Sequence, residues 1–194
     1  MMQHHRAFGR WLQERARARG FAATEVQINE TETPLHRLET VYRRLLERLE
    51  TAADGPGALR AVVEGWLFQT GEEVTRLRGL TEDDPGFAAA TEERLKDKLS
   101  ELSKRNGAFA QVLRRYHQAL HEGDLATAQG LLAWLAGQPF TDRSVLKKAE
   151  LRGAVDGQAA LAFLAGVLQL LRQSGFEGLV VVLDRSEERR VGKE

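Results

Sequence analysis

Apolar side chains recur every three or four residues through most of this chain, which is the spacing of amphipathic helices. Turns rich in glycine, proline and aspartate, such as DGPG at 54–57 and DDPG at 83–86, separate the repeating stretches. The pattern predicts about eight helices, located near residues 8–19, 34–49, 59–77, 95–102, 109–120, 125–135, 142–151 and 156–174.

Individual residues indicate where some of these helices begin. Thr33 is a favourable N-cap and Pro34 a favourable first residue, so the second helix is expected to begin there. Asp124, after Gly123, is expected to cap the sixth helix. The last helix, 156–174, is apolar on most sides and is therefore expected to be largely buried.

Two segments favour strands instead. Residues 21–28 place Val26 and Ile28 on one face, and residues 179–183 within GLVVVLD form a continuous apolar run typical of a parallel strand buried on both faces. Neither strand can satisfy its backbone alone, so we expect the two to pair in parallel across the intervening helices. The predicted fold class is α/β, mostly helical, with two parallel strands.

Composition narrows the functional classes. The chain has 28 basic and 28 acidic residues, which argues against a strongly basic nucleic-acid surface. It has no cysteine, which excludes disulfides and thiolate metal sites. The N-terminus does not resemble a secretory signal, and the longest apolar-rich segment, 159–171, is shorter than the roughly 20 residues that span a bilayer. We therefore expect a cytoplasmic protein without a membrane partner.

Asp184 is the strongest candidate for chemistry, because it directly follows the second predicted strand. Ligands of α/β sheets bind at the carboxyl ends of parallel strands, where an acid can hold Mg²⁺ beside nucleotide phosphates. Many buried strands end in aspartate, so a helix cap or a surface acid is the competing interpretation. The sequence contains no G-x-x-x-x-G-K-[ST] run that would cradle the phosphates.

Two further features have structural explanations. His117 and His121 lie four residues apart on a predicted helix, with Glu122 adjacent, which is a spacing that can bind zinc. A third ligand is missing, so a solvated helix face is the favoured interpretation. The tryptophans fall on apolar stripes and are expected in the core rather than in a base-stacking surface; they are Trp11, Trp66 and Trp134.

Several segments together resemble a known family. GFAATEVQINETETPLHRLETVYRRLLERL, GALRAVVEGW and FLAGVLQLLRQSGFEGLVVVLD are similar to the P-loop ATPase of bacterial BREX-type phage-defence loci, the BrxD-like ATP-binding family related to AAA+ ATPases. The resemblance covers nearly the whole chain up to Asp184, and TPLHRLETVYRRL and GFEGLVVVLD are its most specific parts.

The resemblance implies a particular organisation. Residues 1–184 would be part of a P-loop ATPase domain, with the helix and strand that follow Walker A in 1–33, a large helical insertion in 34–151, and a helix with the Walker B strand in 152–184. Asp184 would hold Mg²⁺ with ATP. The Walker A motif would precede residue 1, and the catalytic glutamate expected after Asp184 is replaced by Arg185.

The function that this resemblance implies is ATP binding and hydrolysis within a phage-defence complex, with other defence proteins and, through the complex, DNA as partners. This chain itself is expected to be an inactive fragment. Residues 185–194, RSEERRVGKE, resemble a translated sequencing-library adapter and are expected to be non-native. The alternatives are a non-enzymatic helical adaptor or interaction module, and a nucleic-acid-binding module that uses the arginine-rich first helix.

Overall fold

A computed structural model describes residues 2–185, which form eight helices and two strands in the predicted order. The helices are α1 (Met2–Ala18), α2 (Leu38–Glu47), α3 (Leu59–Arg78), α4 (Phe87–Ser103), α5 (Gly107–His121), α6 (Leu125–Leu135), α7 (Arg143–Lys148) and α8 (Gly157–Gln173). The strands are β1 (Ala22–Ile28) and β2 (Leu179–Arg185). The predicted mostly helical α/β class is confirmed. Residues 186–194 of the predicted non-native tail lie outside the described residues.

The two strands form one parallel sheet, as predicted. Its register runs from Ala22 opposite Leu179 to Ile28 opposite Arg185. Because side chains alternate along each strand, residues paired across the sheet share a face. Asp184 and its partner Gln27 therefore lie on the same face as Glu25.

Helices cover both faces of β1. On one face, the side-chain amide of Gln13 in α1 donates to the carboxylate of Glu25. On the other face, the hydroxyl of the buried Thr24 donates to the carbonyl oxygen of Leu45 in α2, at 2.7 Å, and Val26 packs against the same helix. β1 is thus held between α1 and α2.

The main hydrophobic core lies among the helices, and an aromatic cluster marks its centre. The ring of Phe163 in α8 meets Tyr42, Phe109 and Trp134 in edge-to-face geometry, with ring centroids 6.3, 5.9 and 5.5 Å away. These rings come from α2, α5 and α6. Because edge-to-face aromatic pairs contribute beyond their buried area, this contact ties four helices to one point.

Aspartate and asparagine side chains cap several helices. The predicted cap Asp124 is confirmed, since its carboxylate accepts a hydrogen bond from the backbone amide of Thr127 at 3.1 Å. The first-turn amides of α5, α7 and α8 are satisfied in the same way by Asn106, Asp142 and Asp156. These short polar residues set where the helices begin.

The predicted start of α2 at Thr33 and Pro34 is wrong, because the helix begins at Leu38. Asn29 determines the local structure instead. Its side-chain oxygen accepts hydrogen bonds from the amides of Glu32 and Thr33, and its own amide donates to the carbonyl oxygen of Thr33. This turn uses the polar groups that a helix start at Thr33 would have needed.

Burial is lower than expected in two elements. β2 is not buried on both faces, since the side chains of Val181 and Leu183 are 39% and 49% exposed. α8 is buried along one face only, and Leu161 and Leu168 on its other face are exposed. Within residues 2–185, β2 pairs with β1 alone, so one of its edges carries no neighbouring strand.

Trp11 is a further correction, because it lies outside the core. It is 51% exposed, stacks on Phe8 and lies beneath the guanidinium of Arg15, whereas Trp66 and Trp134 are buried as predicted. The helical spacing placed Trp11 on the apolar face of α1, but spacing alone does not determine whether another element covers that face. Separately, none of the helices described here is both long enough and apolar enough to cross a membrane.

Candidate functional site

Asp184 occupies the position predicted for it, at the carboxyl end of β2. It pairs with Gln27 in the parallel register, and its side chain is half-buried. Among the side chains that the structure describes, in residues 7–185, none forms a hydrogen bond or an ion pair with its carboxylate. A half-buried carboxylate without a protein partner is available to bind a cation.

The helix α1 runs antiparallel to the strands on the same face as Asp184. The amide of Phe21, just before β1, donates to the carbonyl oxygen of Ala16 near the end of α1. Gly9, earlier in α1, lies against Val182, later in β2, so closely that a β-carbon on Gly9 would be 3.5 Å from the valine methyl group. Later strand residues therefore meet earlier helix residues.

This arrangement brings the start of α1 to the level of Asp184. Asp184 lies two residues, or about 6.6 Å, beyond Val182 along β2. Four residues of α-helix cover about 6 Å, so the matching position in α1 is about four residues before Gly9. The N-terminal turns of α1, with their unpaired amides and positive dipole end, thus lie beside the carboxyl end of the sheet.

At Gly9 the helix lies against the sheet with room for no more than a β-carbon. A β-carbon there would lie 3.5 Å from both the Glu25 carboxylate oxygen and the Val182 side chain, which is full van der Waals contact on two sides. A larger side chain at Gly9 has no room toward the sheet.

A polar groove of about 690 Å³ lies beside β1, and the sequence did not predict it. Arginines and glutamates alternate along its walls, where Arg17 in α1 forms an ion pair with Glu50 at 2.6 Å. The isolated bridge between Ala23 and Glu50 places this pair at the edge of β1 that β2 does not occupy. Asp184 does not line the groove, although its register partner Gln27 does.

The histidine pair has a candidate third ligand that the sequence spacing did not reveal. Glu92 in α4 places Oε1 at 3.5 Å from Nε2 of His117 and 3.7 Å from Nε2 of His121, both in α5. Burial lowers the pKa of His117, the charge of Glu92 opposes that shift, and His121 reinforces it. Glu122, the acid adjacent in sequence, instead accepts a hydrogen bond from Gln118.

A buried cation was also missed. The ammonium group of Lys98 in α4 donates to the Trp66 carbonyl oxygen at 3.3 Å, the Thr70 hydroxyl at 3.0 Å and the Glu73 carboxylate at 3.2 Å. Arg94 donates to the second oxygen of that carboxylate. Lys98 follows Leu95 by three residues on the apolar stripe of its helix, which is the one sequence signal that could have indicated burial.

The described residues fit Mg²⁺ with a nucleotide only in part. Asp184 offers one oxygen ligand of the kind that Mg²⁺ prefers, and α1 offers amides beside it. The sequence has no phosphate-binding lysine in a P-loop. Tight binding of Mg²⁺-nucleotide needs a metal ligand and a phosphate-binding P-loop, and the sequence supplies only the metal ligand.

Comparison with known proteins gives one match. A family model described as BREX system ATP-binding protein BrxC/D matches residues 7–190. No curated protein and no solved structure matches the chain. The matched range includes both strands and Asp184, and it overlaps residues 185–190 of the tail predicted to be non-native.

Proposed function

The chain belongs to the family of BREX system ATP-binding proteins BrxC/D, and we propose that it contributes Asp184 as a Mg²⁺ ligand to a P-loop nucleotide site of the AAA+ type. One observation carries this proposal: Asp184 has no hydrogen-bond or ion-pair partner among the described side chains, and it lies at the carboxyl end of a parallel strand, level with the start of an antiparallel helix. Phosphates and their metal ion bind at this place in α/β nucleotide-binding folds.

Each element of the chain has a defined part in this proposal. Asp184 would bind Mg²⁺, and the amides that begin α1 would favour the negative charge of the phosphates. When bound, Mg²⁺ neutralises charge that develops on the transferred phosphoryl group. The contact of Gly9 with Val182 marks where α1 lies against β2, about four helical residues from the level of Asp184.

The sequence leaves hydrolysis incomplete. It has no G-x-x-x-x-G-K-[ST] run, and Arg185 stands where the family resemblance implies a glutamate that orients the attacking water. We therefore expect residues 1–194 alone neither to hydrolyse ATP nor to bind it tightly. A protein that joins these elements to a phosphate cradle would act as an ATPase of a phage-defence system.

Family membership indicates other components of the BREX system as partners. DNA would be reached through that complex, because the chain itself has equal numbers of basic and acidic residues and so no general attraction to phosphate backbones. The cytoplasm supplies both ATP and Mg²⁺, and we assign the protein to that compartment.

Calorimetric titration of the 194-residue chain with Mg²⁺-ATP is the first test. We expect no binding at micromolar nucleotide, because one carboxylate and one helix terminus replace a full cradle. A micromolar dissociation constant for Mg²⁺-ATP would show that the chain already contains a complete nucleotide site, and would contradict this proposal.

Substitution in a complete P-loop parent carrying this segment tests the role of Asp184. Asp184→Asn is expected to lower ATP turnover at least a hundredfold, or about 2.7 kcal/mol of transition-state stabilisation, because it removes a metal ligand. Glu177→Gln, an exposed acid just before β2, is the matched control and should leave turnover unchanged. Equal turnover in the two variants would overturn the role of Asp184 as a Mg²⁺ ligand.

A further inference from the structure

We propose that Glu92, His117 and His121 form a binding site for a divalent transition metal, with Zn²⁺ as the expected ion. The three side chains offer one ligand atom each, and these atoms lie within 4.8 Å of one another. This proposal is independent of the nucleotide site, because it uses α4 and α5 rather than the sheet.

The spacing of the ligand atoms fits tetrahedral coordination. Zinc bonds to imidazole nitrogen and carboxylate oxygen are about 2.0–2.2 Å long, which places tetrahedral ligands about 3.4 Å apart. Oε1 of Glu92 is 3.5 and 3.7 Å from the Nε2 atoms of His117 and His121. These two distances are within a few tenths of an ångström of the tetrahedral value, and the two imidazole ligand atoms lie no more than 4.8 Å apart.

The ligands are held by different means. His117 and His121 are one helical turn apart, and their rings meet edge to face with centroids 4.6 Å apart. His117 is half-buried, with 21% of its side chain exposed, so its orientation is restricted by packing.

The ligand set selects the class of metal. Two imidazoles and one carboxylate suit Zn²⁺ and neighbouring first-row ions better than Ca²⁺ or Mg²⁺, which prefer oxygen ligands. Glu92 and His121 are 59% and 68% exposed, so the fourth position opens to solvent and would hold water. This open geometry differs from the closed four-ligand sites that are purely structural.

The position of the site gives it a mechanical consequence. α4 and α5 are consecutive helices joined at residues 104–106, and Glu92 is eleven residues before the end of α4 at Ser103. His117 and His121 lie near the end of α5. A bound ion would therefore link the two helices at the end of the pair far from their connection.

Zinc titration tests the proposal. His4 and His5 are adjacent in sequence and can chelate metal by themselves, so every protein carries His4→Ala and His5→Ala. Competition with a chromophoric zinc indicator is expected to give one site per chain. His117→Ala, His121→Ala and Glu92→Gln each remove a direct ligand. Loss of an outer-shell partner alone typically weakens metal affinity tenfold to hundredfold, so each of these variants should lose at least that much zinc affinity.

Two control variants make the test specific. Glu93→Gln removes the neighbouring acid of α4, which pairs with Arg78, and His36→Ala removes an exposed histidine elsewhere; both should bind zinc as the background protein does. Co²⁺ should give the intense visible absorption of tetrahedral coordination, lost in His117→Ala. Absence of a stoichiometric site, or equal affinity in ligand and control variants, would overturn the proposal.

Discussion

At the scale of single residues, Lys98 is the side chain whose environment departs most from expectation. Only 4% of the side chain is exposed, and its ammonium group lies 5.0 Å from the centre of the Trp66 ring. Burial lowers the pKa of Lys98, and the neighbouring Glu73 opposes that shift. An unpaired buried ammonium would be costly, so Glu73 is required for the lysine to remain charged.

Removing the charge of Glu73 is therefore expected to destabilise the protein. Glu73→Gln should lower the free energy of unfolding by about 2 kcal/mol, less than the roughly 3–5 kcal/mol of a fully buried pair, since Glu73 retains some contact with water. Lys98→Met should change stability far less, because it removes the buried charge itself. Urea unfolding followed by circular dichroism measures both.

The double variant gives the control for this prediction. Glu73→Gln with Lys98→Met should recover most of the stability lost in Glu73→Gln, because no buried cation is left unpaired. Additive losses in the double variant would contradict the account of Lys98 as a cation that depends on Glu73.

At the scale of elements, close contacts between helices depend on particular glycines. Gly166 in α8 packs against the ring of Phe109 in α5, and a β-carbon at Gly166 would lie 2.7 Å from two ring atoms. Phe109 is completely buried and cannot move aside. Gly65 in α3, in contrast, has no neighbouring atom within 4 Å of a β-carbon position.

Alanine at these two glycines should act in opposite directions. Gly166→Ala is expected to cost about 1–3 kcal/mol of unfolding free energy, because it forces α5 and α8 apart. Gly65→Ala should add about 0.4–1 kcal/mol, because it lowers the entropy of the unfolded helix segment without a clash. Chemical unfolding of both variants tests this, and destabilisation by both would contradict the packing argument.

Sequence periodicity predicted the elements better than their ends and surroundings. The eight helices and the parallel pair follow from apolar spacing and from the need of each strand for a partner. The start of α2 was predicted wrongly, because the side chain of Asn29 holds the amides of Glu32 and Thr33 in a turn that precedes the helix. The sequence predicted that Asp184 ends a strand. It did not predict that Glu92 lies beside the histidine pair, because Glu92 is distant in sequence and reaches the histidines only through the packing of α4 on α5.

At the scale of the whole molecule, apolar surface remains where β2 and α8 face outward. Val181 and Leu183 are exposed on β2, and Leu161 and Leu168 are exposed on α8. β2 also has an edge that no other described strand occupies. An apolar strand with an open edge is a place where copies of a chain associate.

This surface predicts concentration-dependent self-association of the 194-residue chain. Leu183→Lys should weaken it about tenfold or more, since burying a leucine contributes about 1.5–3 kcal/mol and a tenfold change in affinity corresponds to 1.4 kcal/mol. Phe140→Lys, which changes a loop residue that is 92% exposed, is the control and should have no such effect. Sedimentation velocity over a range of concentrations distinguishes these outcomes.

The parallel sheet also determines the order in which the chain can fold. β1 ends at Ile28 and β2 begins at Leu179, so its two halves leave the ribosome about 150 residues apart. Closing so long a loop in an unfolded chain costs entropy before any strand contact forms. α2 packs mainly on α8, which is distant in sequence. The helices from α3 to α7 pack largely on their sequence neighbours. They can therefore condense first and shorten the gap, and β1 gains its partner only as synthesis of this segment ends.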